Sequence, residues 1–162
     1  MTLADLPRAA AASSGTIENG VHRFPIRVYY EYTDAAGIVY YANYLKFAER
    51  ARTEMMRLFG VAHAAERAAT GLAFIVRRAE LHFDAPARLD DELVVETAVK
   101  EVGGATILLS QNILRDARVL VRATILIATI GASGRPMRLP PALRATLSSP
   151  HDMHRMVKAH AG

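Results

Sequence analysis

Cysteine and tryptophan are both absent from the chain, and only three of its 20 basic residues are lysine. The missing cysteine excludes disulfide frameworks, thiolate catalysis, Cys-ligated zinc and iron–sulfur clusters. A chain of 162 residues needs no such staple, because roughly 70% of the unfolded surface can be buried at this size. Long apolar runs are lacking too. The longest, Thr124 to Ala132, is strand-length and far short of the ~18 residues that span a bilayer, so no membrane insertion is expected. The first sixteen residues place Asp5 and Pro7 where a secretory signal needs a basic start and an unbroken apolar stretch, which makes the cytoplasm the expected compartment. Residues 1–20 read as a mobile leader, 21–147 as one folded domain and 148–162 as a tail. His151 and His154 in that tail have metal-ligand spacing but no third partner, so no metal site is expected.

What is present is uneven. All six tyrosines, at 29, 30, 32, 40, 41 and 44, fall in one short window, which points to a packing layer or a binding pocket there. Seventeen arginines give a net charge of +4, which suits a small anionic ligand. Basic residues never run beyond the pair Arg77–Arg78 and no nucleic-acid signature accompanies them, so no nucleic-acid partner is expected.

The hydropathy pattern changes period along the chain. His22 to Tyr32 alternates Phe24, Ile26, Val28 and Tyr30 against Arg23, Arg27, Tyr29 and Glu31, a first strand. Thr33 to Tyr41 is small and Gly-containing, a loop. From Asn43, read as the cap, to Phe59, apolar residues recur at 44, 48, 51, 55 and 58, an amphipathic helix closed by Gly60. A short second helix fits residues 62–69. Four segments then follow, at 72–84, 92–102, 105–115 and 118–131, β-branched and separated by turn residues, as in an antiparallel meander. A strand, one long helix and a run of strands is an α+β layout in which the sheet buries a face on the helix. Strands this apolar predict self-association through the sheet edge or its open face.

With cysteine gone, chemistry falls to carboxylate, hydroxyl, His or backbone groups. Asp34 stands in the loop ahead of the helix, where its carboxylate can approach free amides and the positive end of the helix dipole. A carboxylate beside an oxyanion site is the minimum equipment for acyl transfer. The same residue could simply make an Asx-turn in a Gly-containing loop, and position alone leaves both readings standing.

The stretch YYEYTDAAGIVYYANYLKFAERARTE, residues 29–54, closely resembles the signature of the hotdog-fold acyl-CoA thioesterases. That group includes 4-hydroxybenzoyl-CoA thioesterase and the Tol-Pal-associated acyl-CoA thioesterase. The likeness continues through FIVRRAELHFDAPARLDDELVVET, residues 74–97, and spans roughly residues 22–140. It implies an antiparallel sheet wrapped around one long central helix, acyl-CoA hydrolysis without a cofactor, and assembly as a homodimer or homotetramer. Residue by residue, it makes Asp34 the catalytic carboxylate and the backbone N–H of Tyr41 the oxyanion donor. Tyr40 and Asn43 are candidate substrate contacts, and Lys100 and Arg78, with Arg77 and Arg88, are candidate partners for the CoA phosphates.

Two positions depart from the pattern. Tyr41 stands where the Tol-Pal-associated branch commonly has His, although a backbone donor is indifferent to that change. Tyr32 stands where that branch often has an acid. The basic run that some hydroxybenzoyl-type members carry before the fourth strand is replaced here by Val102-Gly103-Gly104. Glu49 belongs to the signature and reads as a partner for Arg52 or as a second base; His63 and His82 read as structural. The competing function is a non-catalytic acyl-ligand binder or scaffold tied to the cell envelope or lipid synthesis, which would have no need of Asp34.

Overall fold

A computed structural model describes residues 13–149, so His151, His154, the rest of the expected tail and most of the expected leader lie outside the described residues. Six strands make one antiparallel sheet: β1 (Thr16–Glu18), β2 (Val21–Arg27), β3 (Ala73–Phe83), β4 (Glu92–Val102), β5 (Thr106–Arg115) and β6 (Arg118–Ile130). Helices α1 (Asn43–Leu58) and α2 (His63–Thr70) connect β2 to β3, and α3 (Pro141–Ser148) follows β6. Across the sheet the order is β1-β2-β4-β5-β6-β3. Only β4, β5 and β6 form the expected meander. The first of the four expected meander strands, β3, does not pair with its successor, because α1 carries the chain across the sheet and β3 joins the far edge beside β6.

The helix forms where the 3.6-residue period predicts it, burying Tyr44, Phe47, Ala48, Ala51 and Met55 on one stripe. Gly60 ends it with φ of 79°, and the bonds from Gly60 N to Arg57 O and from Val61 N to Met56 O make a Schellman cap. Each strand of the meander sends alternate residues inward to meet that stripe: Leu93 and Val95 from β4, Leu109 and Ile113 from β5, Ile125 and Ile127 from β6. A fully buried side chain of this kind contributes about 1.5–3 kcal/mol. A sheet curled around one long helix is the hotdog arrangement.

Some inward positions are polar, Gln111 and Thr97 among them. Gln111, fully buried between Leu109 and Ile113 on β5, donates from Nε2 to the Ala48 carbonyl (3.0 Å) and to Thr97 Oγ1 (2.9 Å). Its Oε1 accepts from Arg52 Nη1 at 2.8 Å. Burial pulls the Arg52 guanidinium below its ordinary value, opposed by the Glu49 carboxylate, and it stays charged. Gln111 also divides the core. One lobe surrounds Tyr44, Phe47, Val95 and Ile113, and the other surrounds Met55, Met56, Ile107, Leu109 and Leu147.

Several expectations change. The first strand ends at Arg27, and Tyr30–Tyr32 form a 3-10 turn, so Tyr30, expected as core on the alternation, is 81% exposed. Pro25 and the loop bonds of Val28 to Asp91 and Asp90 draw the chain out of the sheet there. β1 falls inside the expected leader and pairs with β2 through Thr16↔Arg23. The open face of the sheet is mixed: it carries the Arg23–Glu96 ion pair (2.6 Å), Ser110, Asn112 and Thr124 together with Val94, Ala98, Leu108 and Leu126. Unpaired apolar surface lies also on the β3 edge. Among the described residues no helix is long and apolar enough to cross a membrane.

The strap ahead of β1 is held by His22, whose Nε2 donates to Ser14 O at 2.7 Å while Ser14 Oγ donates to Glu54 (2.7 Å). Gly15 has φ of +80°, and a Cβ there would sit 2.3 Å from the Arg23 carbonyl, so only glycine lets the strap lie this close. Nδ1 of His22 is buried with no partner among the described residues, and burial holds the imidazole below 6.5 against the opposing pull of Ser14 and Glu54. The native state therefore resists a proton that the unfolded chain accepts. Stability should fall as pH drops below about 6.5, and His22→Gln should flatten that fall. Thermal unfolding of both proteins between pH 7.5 and 5.5 checks this; parallel curves would remove His22 as the cause.

Candidate active site

Asp34 opens a tight hairpin. The Gly37 N–H donates to Asp34 O (3.0 Å), the Asp34 N–H donates to Ile38 O (2.9 Å), and Thr33 pairs with Val39. Gly37 sits at φ of +74°, the left-handed position that closes such a loop. Oδ1 of Asp34 accepts from the Ala36 N–H at 2.8 Å, so the Asx-turn is present. It fixes the carboxylate and leaves Oδ2 without a partner among the described residues. The side chain is exposed.

The strand leaving this hairpin runs directly into α1. Its first turn is closed by Asn43 N–H to Tyr40 O (2.8 Å) and Tyr44 N–H to Tyr41 O (3.3 Å). The N–H groups of Tyr41 and Ala42 donate to nothing among the described residues, and no side chain caps the helix. Two free amides at the positive end of a sixteen-residue helix form an anion site, and Asp34 sits in the hairpin that feeds it.

Asn43 is not the cap that the sequence suggested. Ala42 occupies that position, and Asn43 lies inside the helix, buried, with Nδ2 donating to the Tyr32 carbonyl at 2.8 Å. The same carbonyl accepts the Tyr40 N–H (2.8 Å). Tyr32 is thus the junction of the loop. Its ring packs edge-on to Phe47 at 4.9 Å and its hydroxyl accepts from Arg50 Nη1 at 2.7 Å. The opposite wall comes from the turn at residues 84–91: the Val39 N–H donates to Ala87 O (2.8 Å), and the Ala87 N–H donates to Tyr44 Oη (3.0 Å). Burial pushes the Tyr44 phenol above its ordinary 10.0, which keeps it protonated in that role.

The tyrosine window therefore divides. Tyr32 and Tyr44 are core, whereas Tyr40 and Tyr41 are exposed, their rings tilted against each other with centroids 4.8 Å apart. Hydrogen bonding to Tyr41 raises the Tyr40 phenol above its ordinary value. Tyr41 also meets Phe83 at the end of β3, with centroids 6.3 Å apart. The candidate phosphate contacts are not gathered here within one chain. Lys100 lies at the bulge near the far end of β4, Arg77 and Arg78 on the exposed edge of β3, and only Arg88, paired with Ile38, borders the Asp34 loop. The Tyr32 junction and the Ala87 anchor were not legible beforehand, because both act through backbone groups that any residue would supply.

Toward the other end of α1, a cavity of about 350 Å³ opens between the helix, β3, β5, β6 and α3. Most of its lining is apolar, and Glu49, Arg52, Thr53, His63 and Arg67 also line it. Glu49 accepts from Thr53 Oγ1 (2.7 Å), and burial lowers the His63 imidazole despite the nearby Glu49 carboxylate.

Comparison with known proteins gives a consistent picture. The model of the thioesterase-like superfamily matches residues 28–147. The acyl-CoA thioesterase YbgC of Haemophilus influenzae is 42% identical over 130 residues, covering 80% of this chain and 95% of the relative. The crystal structure of a probable thioesterase from Bartonella henselae superposes with a TM-score of 0.72 at 38% identity, over 74% of this chain and 99% of that one. A 4-hydroxybenzoyl CoA thioesterase structure shares the fold, with a TM-score of 0.73 at 20% identity, over 78% of this chain and 97% of that one.

The Asn43 junction is open to direct test. Asn43→Ala removes one of two donors to the buried Tyr32 carbonyl and should cost about 1–2 kcal/mol in urea unfolding. It should also speed hydrogen exchange at the Tyr40 amide. Unchanged exchange would mean that the loop does not depend on this bond.

Proposed function

We propose, from the premise that this chain belongs to the thioesterase-like superfamily and is an acyl-CoA thioester hydrolase, that Asp34 and the N–H of Tyr41 carry its chemistry. The observation that carries the reading is the pair of unspent amides at the tip of α1, preceded in the chain by a hairpin that fixes the Asp34 carboxylate. The thioester carbonyl oxygen docks on the Tyr41 N–H, with Ala42 adjacent, and the helix dipole stabilises the negative charge that grows there as the carbonyl is attacked. One such donor lowers the barrier by about 3 kcal/mol.

Asp34 acts through its free Oδ2. As nucleophile it forms a mixed anhydride and expels CoA thiolate, and water then releases the acid; as base it takes a proton from the attacking water. Both routes end in free acid and CoA. Thiolate leaves readily, so neither route needs a dedicated general acid. The exposed rings of Tyr40 and Tyr41 form an apolar rim for the thioester, and Arg88 is the basic side chain nearest the loop for a CoA phosphate.

The working unit in this reading is a pair of chains. β3 is an edge strand with Ile75, Val76 and Phe83 at 40%, 49% and 51% exposure, a surface that a second sheet edge would cover. The net positive charge of the chain and the open rim of Tyr40 and Tyr41 suit an anionic CoA ester as substrate.

Asp34→Asn should lower kcat/KM for acyl-CoA hydrolysis by at least about 10²-fold, read as released thiol. The cysteine-free chain adds no thiol background to that assay. A variant that keeps most of its activity would take Asp34 out of the reaction. Light scattering during turnover should give at least twice the 17.7 kDa chain mass, and an active monomer would dismiss the paired unit.

A further inference from the structure

Three buried polar side chains stand abreast on the inner face of the sheet: His22 of β2 pairs with Thr97 of β4, and Thr97 pairs with Gln111 of β5. A polar row beneath an apolar helix stripe is unfavourable unless the helix brings partners to it. α1 does so at one turn. The Ala48 carbonyl and the Arg52 guanidinium, four residues apart and therefore on one face of the helix, both meet Gln111, the first accepting at 3.0 Å and the second donating at 2.8 Å. The other N–H of the Gln111 amide goes to Thr97 Oγ1 at 2.9 Å, so both donors and the oxygen are engaged. Gln111 thus bridges two strands and one helical turn.

The free N–H groups at a helix N-terminus point along the helix axis, so the direction of the axis decides where they aim. One point of attachment does not fix a direction. The first turn of α1 is held by Asn43, which donates to the Tyr32 carbonyl, and by Tyr44, whose hydroxyl accepts from the Ala87 N–H. With that point alone the helix can still pivot about its tip. Packing does little to stop it further along, because α1 there runs beside the cavity of about 350 Å³ that Thr53, Met55 and Met56 line. The Gln111 contacts at Ala48 and Arg52 supply the second point, the nearer of them roughly 10 Å of helix from Tyr41.

Resting on the reading that the Tyr41 N–H receives the thioester oxygen, we infer that Gln111 is a positioning residue for the reaction: it fixes the axis of α1 and so the aim of the Tyr41 and Ala42 amides. It touches neither Asp34 nor the free amides. A site of this kind has to be held within about 10–20° of its productive geometry, and a pivot about the tip spends that tolerance directly.

The test measures kcat and KM for Gln111→Met, Thr97→Val and the double variant, using the fastest of acetyl-, decanoyl- and benzoyl-CoA, at a temperature where urea unfolding shows each protein folded. Gln111→Met keeps the length of the side chain and should lower kcat at least about tenfold with KM within threefold, since a 1 Å misplacement costs on the order of 10²-fold. Thr97→Val reaches the helix only through Gln111. It should lower kcat less, and should lower it no further in the Gln111→Met background. In amide ¹H–¹⁵N spectra the Tyr41 and Ala42 signals should move in both single variants, while those of Ala36 and Gly37 in the separately bonded hairpin stay in place.

If Gln111→Met does not fold, Thr97→Val carries both measurements. Loss of stability with kcat unchanged and both amide signals unmoved is the result of a merely structural role, and it would overturn the proposal. So would a fall in kcat with the two signals fixed, which leaves the Tyr41 reading standing. Signals that move while kcat holds would overturn the positioning role and the Tyr41 reading together. If wild type hydrolyses none of the three esters, the thioesterase reading falls and the role of Gln111 in it falls too.

Discussion

The seating of α1 against the sheet is the constraint on which the rest depends. Apolar packing holds the helix in the groove, but packing alone tolerates sliding, since Leu, Ile and Val faces are interchangeable at small cost. Gln111 removes that freedom. Its amide fits one helix carbonyl, one sheet hydroxyl and one guanidinium at once, and a shift of the helix by a single turn would leave all of them buried and unpaired. The position of the helix tip, and so of the Tyr41 and Ala42 amides, is set from the middle of the core.

The same residue separates two kinds of interior. Ahead of it, Tyr32, Tyr44 and Phe47 interlock as edge-on aromatics under the Asp34 loop, a tight and directional packing. Behind it, Met55 and Met56 join aliphatic side chains around a space that the chain itself does not fill. Rigid geometry is thus placed under the Asp34 loop, and adaptable side chains around the cavity. That division is a property of one chain before any partner is considered.

Much of this was legible in the sequence. The stripe of Tyr44, Ala48, Ala51 and Met55 announces α1, and Gly60 announces its end, because helical periodicity and capping are local. Alternation in residues 92–102 and 105–115 announces β4 and β5 for the same reason. Reading failed where long-range contacts overrule local pattern. Tyr30 continues the alternation of the first strand but is turned outward, since the chain at Val28 is captured by Asp90 and Asp91, more than sixty residues away. Asn43 has the composition of a cap, yet a nearby carbonyl with a stronger claim takes its side chain into the core. The place of β3 beside β6 depends on how far a helix carries the chain across a sheet, which no local signal encodes. At Asp34 the two readings of the sequence turn out to be compatible: the Asx-turn employs one oxygen and leaves the other.

Ala87 has a kinetic consequence. This fully buried residue bonds to the Asp34 hairpin through its carbonyl and to α1 through its amide, so it ties the turn at 84–91 to both ends of a continuous segment 43 or more residues earlier. Neither the hairpin nor the turn at 84–91 can swing away alone without stranding a buried polar group. Opening of this end of the molecule is therefore a single concerted event rather than the fraying of separate loops. The floor under the Asp34 loop is therefore rigid as a unit, and independent motion at this end is left to the exposed side chains of Tyr40 and Tyr41.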